Sequence, residues 1–321
     1  MARIYLTCRV FEDEIERLRA VGHDVETRDV PGPIPREELL EKVCDAEALI
    51  CLLSDRIDTT VIDAAPALKI IANLGVGTDN IDIAAAHAKG IVVTNTPGAL
   101  TETTADFTFA LLLAAARRIV EGDAFIRAGK FLGWELIQPQ LGTDVYGKRL
   151  GVVGMGRIGT AVARRGHFGF QMSIMYCNRH RNFEAEAELG AHHVSFDELL
   201  EVSDFVCVHT PLTEETHHLF DKDAFRLMKN GAILVNVARG PVVDEEALVW
   251  ALESGEIAGA GIDVYEREPK IHSGLLKLKE RVVLTPHLGS ATETTRQALA
   301  KIAVDNVLLV LAGEKPLNPI T

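Results

Sequence analysis

The chain has 321 residues, of which 47% are hydrophobic and 25% are charged, and its formal net charge is −13. This length allows two domains with separate cores, and the composition is typical of a globular protein rather than a disordered one. The negative charge argues against nonspecific binding to nucleic acid or to an acidic membrane surface, because both need a basic face. The most apolar helical run, residues 107–116, is far below the ~20 residues that span a bilayer, so we expect a buried helix there.

The cysteine and histidine patterns indicate neither disulfides nor a metal. The five cysteines show no C-x-x-C spacing, and three of them lie in apolar, strand-like runs, which favours a reducing, cytoplasmic setting. The apolar stretch at the N-terminus is too short for a signal peptide. His192-His193 has no partner at metal-ligand spacing, and His217-His218 lies in a polar stretch where we expect both rings to be exposed. No metal site is predicted.

Strand-like and helix-like segments alternate along almost the whole chain, which predicts an α/β protein with doubly wound parallel sheets. The first series contains apolar runs at residues 4–7, 48–52, 70–73 and 91–94, with helical stretches such as 13–21 and 36–43 between them. This series is enough for one compact α/β unit.

A glycine-rich segment follows, running Leu-Gly-Val-Val-Gly-Met-Gly-Arg-Ile-Gly from Leu150. It predicts a strand that turns through Gly154, Gly156 and Gly159 into a helix at residues 160–165. In a dinucleotide-binding fingerprint, one glycine makes the turn, one lets the backbone approach a pyrophosphate, and one lets the helix pack on the strand. The helix N-terminus then faces the anion. An ordinary glycine-rich turn is the alternative, but the flanking strands and helix favour the fingerprint.

A second series of strand-like runs follows the fingerprint, at residues 173–176, 205–209, 233–236, 260–264 and 282–285. Long helical stretches at residues 101–118 and 291–311 lie at the crossings between the two series. We therefore predict two Rossmann-like domains, with the cofactor domain inserted into the substrate domain. The substrate domain comprises residues 1–99 and 287–321, and the dinucleotide-binding domain comprises residues 100–286.

Three ionisable residues, Arg239, Glu268 and His287, follow consecutive strands of the second series. Ligands of open α/β sheets bind beyond the carboxyl ends of the strands. A guanidinium can bind a substrate carboxylate, an imidazolium can protonate a carbonyl oxygen as hydride arrives, and a nearby carboxylate favours the charged imidazole. Each of these residues, taken alone, is more often structural than functional. Together at three strand ends they suit the reduction of a 2-oxo acid.

The same segments carry a family resemblance. The chain resembles the D-isomer-specific 2-hydroxyacid dehydrogenases, and within them the glyoxylate/hydroxypyruvate reductases. The matching segments, which span nearly the whole length in the same order, are Asn73-Leu-Gly-Val-Gly-Thr-Asp-Asn-Ile-Asp, Thr101-Glu-Thr-Thr-Ala-Asp, the glycine run, Val208-His-Thr-Pro-Leu-Thr, Asn236-Val-Ala-Arg-Gly, Gly261-Ile-Asp-Val-Tyr-Glu-Arg-Glu-Pro and Thr285-Pro-His-Leu-Gly-Ser-Ala.

The resemblance implies roles for particular residues. Arg239 would bind substrate, His287 would be the acid/base, and Glu268 would orient it, while backbone amides at Val76 and Gly77 would hold the substrate carboxylate. The cofactor-binding positions would be Thr104, Gly154, Gly156, Arg157, Ile158, Gly159, Asn178, Arg179, Arg181, Thr210, Pro211, Val237, Ala238, Asp263, His287 and Gly289. The family is typically homodimeric, so a homodimer is expected.

The residues after the second strand of the fingerprint unit bear on the choice of cofactor. An NAD-binding unit usually places Asp or Glu about 20 residues after the glycines, on the ribose 2′-hydroxyl. Here Asn178 occupies that place and Arg179 and Arg181 follow it, so charged donors are available for a 2′-phosphate. We predict a preference for NADP(H), with NAD(H) possible.

Two other functions remain open from the sequence. One is a different D-2-hydroxyacid dehydrogenase, such as a 2-ketogluconate reductase. The other is a non-catalytic, NAD(P)-sensing binding protein of the corepressor kind, which can share this fold and keep the Arg–Glu–His set. The acidic charge and the lack of added interaction segments favour the enzyme.

Overall fold

The computed structural model describes residues 1–320, which divide into two compact units. The first unit comprises residues 1–100 together with 292–320, and the second comprises residues 101–291. Each unit contains one sheet whose strands are all parallel, so the predicted α/β class with two parallel sheets is confirmed. No helix within residues 1–320 has the length and apolar character needed to cross a membrane.

The first part of the first unit alternates strands and helices from the N-terminus onward. Its elements are β1 (Arg3–Leu6), α1 (Glu12–Ala20), β2 (Asp24–Thr27), α2 (Arg36–Val43), β3 (Ala48–Cys51), α3 (Thr59–Asp63), β4 (Ile70–Asn73), α4 (Ile83–Ala88) and β5 (Val92–Thr94). The sheet order is β2-β1-β3-β4-β5. Every residue of β3 and β4 is buried, which explains why these strands read as continuous apolar runs.

The second unit begins with two helices and then alternates around a larger sheet. Its elements are α5 (Thr101–Ala116), α6 (Ile119–Arg127), β6 (Arg149–Val153), α7 (Arg157–Arg164), a π-helical turn (Arg165–Gly169), β7 (Ser173–Cys177), α8 (Phe183–Leu189), β8 (His192–His193), α9 (Phe196–Val202), β9 (Phe205–Val208), α10 (Lys222–Leu227), β10 (Ile233–Asn236), a 3-10 turn (Gly240–Val242), α11 (Glu245–Ser254), β11 (Gly259–Ile262), α12 (Ser273–Lys277) and β12 (Val282–Leu284).

The strand order of the second sheet is β12-β11-β10-β9-β6-β7-β8. Counted within the unit, this is the 3-2-1-4-5-6 order of a dinucleotide-binding fold with one further strand. The order reverses between β6 and β9, so the crevice for a ligand lies beyond the carboxyl ends of these two strands. The glycine-rich segment follows β6 directly.

The last helix, α13 (Glu293–Leu311), belongs to the first unit. Its residues Ala303, Val304 and Val307 are buried in the same apolar cluster as Ile4 and Leu6 of β1. Beyond the helix, Gly313 has a φ of +81°, the left-handed conformation that commonly follows a helix C-terminus. The first unit therefore needs both of its chain segments to complete its core.

The structure differs from the sequence prediction at the boundary between the units. Residues 287–291, predicted to belong to the first unit, lie in the second. The reason is local, because the backbone N–H of His287 donates to the carbonyl of Asp263 at 2.9 Å and those of Leu288 and Gly289 donate to its carboxylate. These bonds tie the segment to the end of β11.

Two strands were not predicted, and one helix begins earlier than predicted. Strand β2 has only partly buried or exposed residues and so lacks an apolar run. Strand β8 consists of two exposed histidines, which show no strand pattern. Helix α7 begins at Arg157, three residues before the predicted start, so the last glycine of the fingerprint lies inside the helix.

Candidate active site

The three glycines of the fingerprint lie where the turn needs them. Gly154 has a φ of +99°, and a Cβ on it would come within 2.6 Å of the carbonyl carbon of His209 after β9. A Cβ on Gly159 would lie 2.1 Å from the carbonyl oxygen of Gly154. By contrast, Gly156 is exposed and has nothing within 4 Å of its Cβ position. The first and third glycines permit close backbone contacts, and the second leaves the turn open to a pyrophosphate, so these residues fit a dinucleotide.

A residue that the sequence analysis missed fixes this turn. The side-chain amide of Asn182 donates to the carbonyl of Met155 at 3.0 Å, while its oxygen accepts from the N–H of Ala185 and caps α8. The C=O of Met155 and the N–H of Gly156 belong to one trans peptide, in which they point in opposite directions. Because Asn182 holds the C=O, the N–H of Gly156 points away from Asn182. That N–H is a donor at the open face of the turn.

Arg239 follows β10 and is half-buried. Asn236, the last residue of the strand and 1% exposed, donates its side-chain amide to the Arg239 carbonyl at 3.0 Å and accepts from the N–H of Ala238 at 3.0 Å. These two bonds shape the turn that presents the guanidinium. The sequence analysis missed this role, although an asparagine that ends an apolar strand is an available signal.

His287 and Glu268 are brought together as predicted for an acid/base pair, with the ring Nδ1 3.0 Å from a carboxylate oxygen. The other carboxylate oxygen accepts from the N–H of Tyr265 at 3.1 Å. His287 has a φ of +55°, an uncommon conformation for a residue with a side chain. With Nδ1 facing the carboxylate, Nε2 is the nitrogen left for a substrate.

The electrostatics of Glu268 favour the charged pair. Burial opposes ionisation of the carboxyl, but its hydrogen bond to His287, the imidazolium charge, the Tyr265 N–H and the nearby Arg239 together lower the pKa below its usual value. The carboxylate is therefore ionised at neutral pH and faces Nδ1 of His287 as a charged hydrogen-bond partner.

Asp263 organises the loop that carries His287. It is 1% exposed, and its carboxylate accepts from the hydroxyl of Thr285 at 2.7 Å, from the N–H of Leu288 at 2.7 Å and from the N–H of Gly289 at 2.8 Å. Burial raises the pKa of Asp263, although these hydrogen bonds oppose the shift. A Cβ on Gly289 would touch both Asp263 and Thr104, so three predicted cofactor-binding residues lie together.

The segment after β7 has an exposed arginine and a paired one. Asn178 and Arg179 follow the strand directly, and Arg179 is exposed with no ion pair or side-chain hydrogen bond within residues 1–320. Arg181 is paired, because its Nε donates to Glu186 at 2.9 Å and its guanidinium lies 5.0 Å over the ring of Phe183. Glu186 engages Nε and one terminal nitrogen of this guanidinium.

The remaining predicted positions lie at strand ends and at the start of α7. Thr210 and Pro211 follow β9, Val237 and Ala238 follow β10, and Arg157 and Ile158 open α7. Val76 and Gly77 are in the first unit, in the loop after β4, and both are partly exposed.

A second pair of carboxylates, which the sequence analysis also missed, connects the turns that carry Arg239 and Glu268. The N–H of Glu245 donates to a carboxylate oxygen of Glu266 at 2.7 Å, and the N–H of Glu266 donates to Glu245 at 3.0 Å. His218, predicted to be exposed, is half-buried. Its ring Nε2 lies 3.5 Å from a carboxylate oxygen of Glu266, and its backbone N–H donates to the carbonyl of Pro241. Within residues 1–320, no cluster of three His, Cys, Asp or Glu side chains is arranged to hold a metal.

Comparison with known proteins agrees with this geometry. Residues 109–289 match the family model described as the NAD binding domain of D-isomer specific 2-hydroxyacid dehydrogenase. A glyoxylate reductase of Thermococcus kodakarensis is 50% identical over 98% of this chain and 94% of its own length. A solved structure from Thermus thermophilus superposes with a TM-score of 0.92 at 46% identity, covering 99% of this chain and 100% of that one.

One further solved structure was determined with ligands. It is the NADPH-dependent glyoxylate/hydroxypyruvate reductase of Sinorhizobium meliloti in complex with NADP and malonate. It superposes with a TM-score of 0.86 at 33% identity, covering 100% of this chain and 97% of that one.

The fold, the glycine turn and the strand-end residues define an oxidoreductase that uses a nicotinamide cofactor. With the matches above, the chain belongs to the D-isomer specific 2-hydroxyacid dehydrogenase family, whose members interconvert 2-oxo acids and D-2-hydroxy acids. The alternative of a non-catalytic, cofactor-sensing protein is not favoured.

Proposed function

We propose that this enzyme reduces glyoxylate or hydroxypyruvate to the corresponding D-2-hydroxy acid, with NADPH as the preferred cofactor. The observation that carries the proposal is the 3.0 Å contact between His287 and Glu268. These two residues follow β12 and β11, and β11 is the neighbour of β10, which Arg239 follows. The names of the similar proteins support the substrate class, since they include glyoxylate reductases and a glyoxylate/hydroxypyruvate reductase.

The proposed roles follow from the chemistry of each group. Arg239 binds the substrate carboxylate through a planar pair of charge-assisted hydrogen bonds and polarises the neighbouring carbonyl. Backbone N–H groups of Val76 and Gly77 are further donors to the carboxylate. The bound nicotinamide supplies the hydride. His287 gives the proton on Nε2 to the carbonyl oxygen as that oxygen becomes an alkoxide, and Glu268 holds the ring by Nδ1 throughout.

The cofactor site is proposed to consist of the residues at the glycine turn and the neighbouring strand ends. Its members are Thr104, Gly154, Gly156, Arg157, Ile158, Gly159, Asn178, Arg179, Arg181, Thr210, Pro211, Val237, Ala238, Asp263, His287 and Gly289. Thr104, Thr210 and Asp263 are proposed for the nicotinamide side, and Asn178, Arg179 and Arg181 for the adenosine side.

The preference for NADPH rests on the missing carboxylate at Asn178 and on Arg179, which has no competing ion pair within residues 1–320. Arg181 is expected to contribute less, because Glu186 already engages two of its three guanidinium nitrogens. The ratio of kcat/KM with NADPH to kcat/KM with NADH is expected to exceed one and to fall in Arg179→Ala. Equal or better use of NADH by the wild type would contradict the preference.

The test of the catalytic assignment is His287→Ala. Loss of the proton donor is expected to lower kcat by about 100- to 10,000-fold. NADPH should still bind, as measured by cofactor fluorescence, because the other proposed cofactor-binding residues are unchanged. Turnover is measured on a panel that includes glyoxylate, hydroxypyruvate and 2-ketogluconate. Normal turnover by the variant would refute the assignment of His287, and no NADPH oxidation by the wild type on any 2-oxo acid would refute the proposed function.

A homodimer is proposed from the surface of α6 and the segment after it. No residue of α6 is buried, and large apolar side chains in residues 119–141 are at least half exposed. They are Ile119, Val120, Ile126, Phe131, Leu132, Trp134, Leu136, Ile137 and Leu141. Apolar patches of this kind mark protein interfaces, and a self-complementary patch closes a two-fold dimer. Light scattering of the purified chain is expected to give twice the mass of the chain, and a monomer would contradict the proposal.

The five cysteines are all free thiols, which supports our proposal that the enzyme works in a reducing compartment, the cytoplasm.

A further inference from the structure

The loop after β4 has three consecutive carbonyls that are held by hydrogen bonds within the first unit. The carbonyl of Gly75 accepts from the N–H of Thr96 at 3.0 Å. The carbonyl of Val76 accepts from the side-chain amide of Asn95 at 2.7 Å. The carbonyl of Gly77 accepts from the side-chain amide of Asn73 at 2.7 Å. Two of the three donors are therefore asparagine side chains from the ends of neighbouring strands.

These bonds set the direction of three N–H groups. In a trans peptide the N–H points opposite to the C=O of the same unit, so each N–H points away from the donor that holds its carbonyl. The groups concerned are the N–H groups of Val76, Gly77 and Thr78. None of them donates to an acceptor within residues 1–320, and all three residues are partly exposed. Together they are a row of unused donors, which suits an anion.

The asparagines themselves are fixed in orientation. Asn73 is fully buried, and its side-chain oxygen accepts from the thiol of Cys51 and from the side-chain amide of Asn80. The amide of Asn80 also donates to the carbonyls of Leu52 and Asp55 at 3.1 and 3.0 Å. Because the oxygen of Asn73 is used in this way, its NH2 group is left to donate, and it does so to the carbonyl of Gly77 and to the side-chain oxygen of Asn80 at 3.2 Å. The network thus links the loop to the segment after β3.

Gly75 has a second constraint. A Cβ at this position would lie 2.5 to 2.8 Å from side-chain atoms of Leu53, so the loop passes directly under that side chain. The loop is therefore confined by packing at Gly75 and by hydrogen bonds at the two residues after it.

We propose that Asn73, Asn80 and Asn95 are positioning residues that aim the N–H groups of Val76, Gly77 and Thr78 at the carboxylate of the substrate. This inference rests on the proposed function and extends it in two ways. It adds the N–H of Thr78 as a third donor, and it assigns the orientation of the donors to three asparagine side chains that do not touch the substrate.

The test uses Asn95→Leu, which removes the donor to the Val76 carbonyl with little change in volume and no added charge. The peptide between Val76 and Gly77 is then free to rotate, and the N–H of Gly77 turns away from the substrate. The enzyme then loses the hydrogen bond from the N–H of Gly77 to the charged carboxylate, so KM for glyoxylate is expected to rise about tenfold or more. In contrast, kcat should fall less than threefold, and the Kd for NADPH should not change.

A binding measurement separates this role from catalysis. Oxamate, an unreactive analogue with the same carboxylate, is titrated into each enzyme in the presence of cofactor, and its Kd should rise in parallel with KM. Asn73→Ala frees the Gly77 carbonyl and with it the N–H of Thr78, so this variant should bind oxamate more weakly as well. Asn95→Gln keeps the amide donor and should recover part of the loss.

The matched control is Asn230→Leu. Asn230 also donates its side-chain amide to a backbone carbonyl, that of Gly255 at 3.2 Å, but it lies in the other unit. The KM for glyoxylate and the Kd for oxamate of the Asn230→Leu variant should equal those of wild type. Thermal melting of every variant verifies folding, and Asn95→Ala replaces Asn95→Leu if the larger side chain prevents folding.

Two negative outcomes are distinguishable. If the wild type turns over glyoxylate and Asn95→Leu keeps both its KM and its oxamate Kd within twofold, the positioning role is wrong while the proposed function stands. If the wild type neither turns over any 2-oxo acid nor binds oxamate, the proposed function fails and this inference fails with it.

Discussion

At the scale of single residues, asparagines hold the carbonyls of the functional turns. Asn182 holds Met155 in the glycine turn, Asn236 holds Arg239, and Asn95 holds Val76. An asparagine amide can do this because it donates and accepts at the same time. The charged residues carry the proposed chemistry, and these neutral residues fix the carbonyls of the turns from which backbone N–H groups and side chains are presented.

The pH dependence of Glu268 is the first prediction. Its pKa in the folded protein is lowered from the ordinary value of 4.5. The ionised carboxylate therefore contributes stability that is fully present above pH 4.5 and is lost as the pH falls through the lowered folded-state pKa. We expect Glu268→Gln to have a lower free energy of unfolding than wild type at pH 7, and the difference to shrink as the pH approaches 3.

This dependence is measured by urea unfolding of both proteins at several pH values. Glu214→Gln, at an exposed position, is the control and should show no such trend. A difference between wild type and Glu268→Gln that stays constant from pH 7 to pH 3 would mean that the carboxylate is not stabilised by His287 and its neighbours.

At the scale of elements, function depends on the turns that follow parallel strands. The turn after β10 carries Arg239, and the turn after β11 leads to Glu268. The two approach each other so closely that a Cβ on Gly240 would lie 1.9 Å from the carbonyl carbon of Tyr265. The mutual bonds between Glu245 and Glu266 join the same two turns. The two turns are therefore joined both by close packing and by hydrogen bonds.

Gly240→Ala is the prediction at this scale. The added methyl group must push apart the turns that carry Arg239 and Glu268, since both neighbours of the clash are backbone. A displacement of about 1 Å in a catalytic group costs on the order of 100-fold in rate, so kcat should fall by about that factor. The Kd for NADPH should change less than kcat, because most of the proposed cofactor-binding residues lie on other turns, including the glycine turn after β6.

Gly231→Ala is the control for this variant, because nothing lies within 4 Å of the Cβ position at Gly231. Steady-state kinetics with glyoxylate and fluorescence titration with NADPH give both quantities. Wild-type kcat in Gly240→Ala would show that the two turns adjust without cost.

At the scale of the whole molecule, the cores of the two units are separate. The apolar clusters of the second unit contain only residues from 105 to 284, and those of the first contain only residues before 94 or after 302. The second unit is also one continuous segment of chain. Since a domain with its own core can fold alone, we expect the second unit to fold without the first.

We therefore predict that a fragment of residues 101–291 folds and binds NADPH without turning over substrate. Cooperative thermal melting followed by circular dichroism tests folding, and cofactor fluorescence tests binding. The same fragment with Gly159→Ala should not bind, because the added Cβ would lie 2.1 Å from the carbonyl oxygen of Gly154. A fragment that melts without a transition would show that the second unit depends on the rest of the chain.

The sequence predicted those elements whose local pattern is strong. The bounds of α2, β4 and β10 agree with the prediction, because apolar runs and helix-forming residues define them locally. The two missed strands, β2 and β8, have no fully buried residue. Their pairing with a neighbouring strand, rather than their own residues, makes them part of a sheet.

The family, the glycine turn and the residue types of the proposed catalytic set could be recognised in the amino-acid sequence, since these follow from short motifs. The folded chain was needed to show which carbonyls Asn95 and Asn182 hold and that residues 287–291 belong to the second unit. These facts depend on contacts between groups on different turns and strands. Such contacts form only when the folded backbone sets their distances and directions, and no local pattern of residues encodes them.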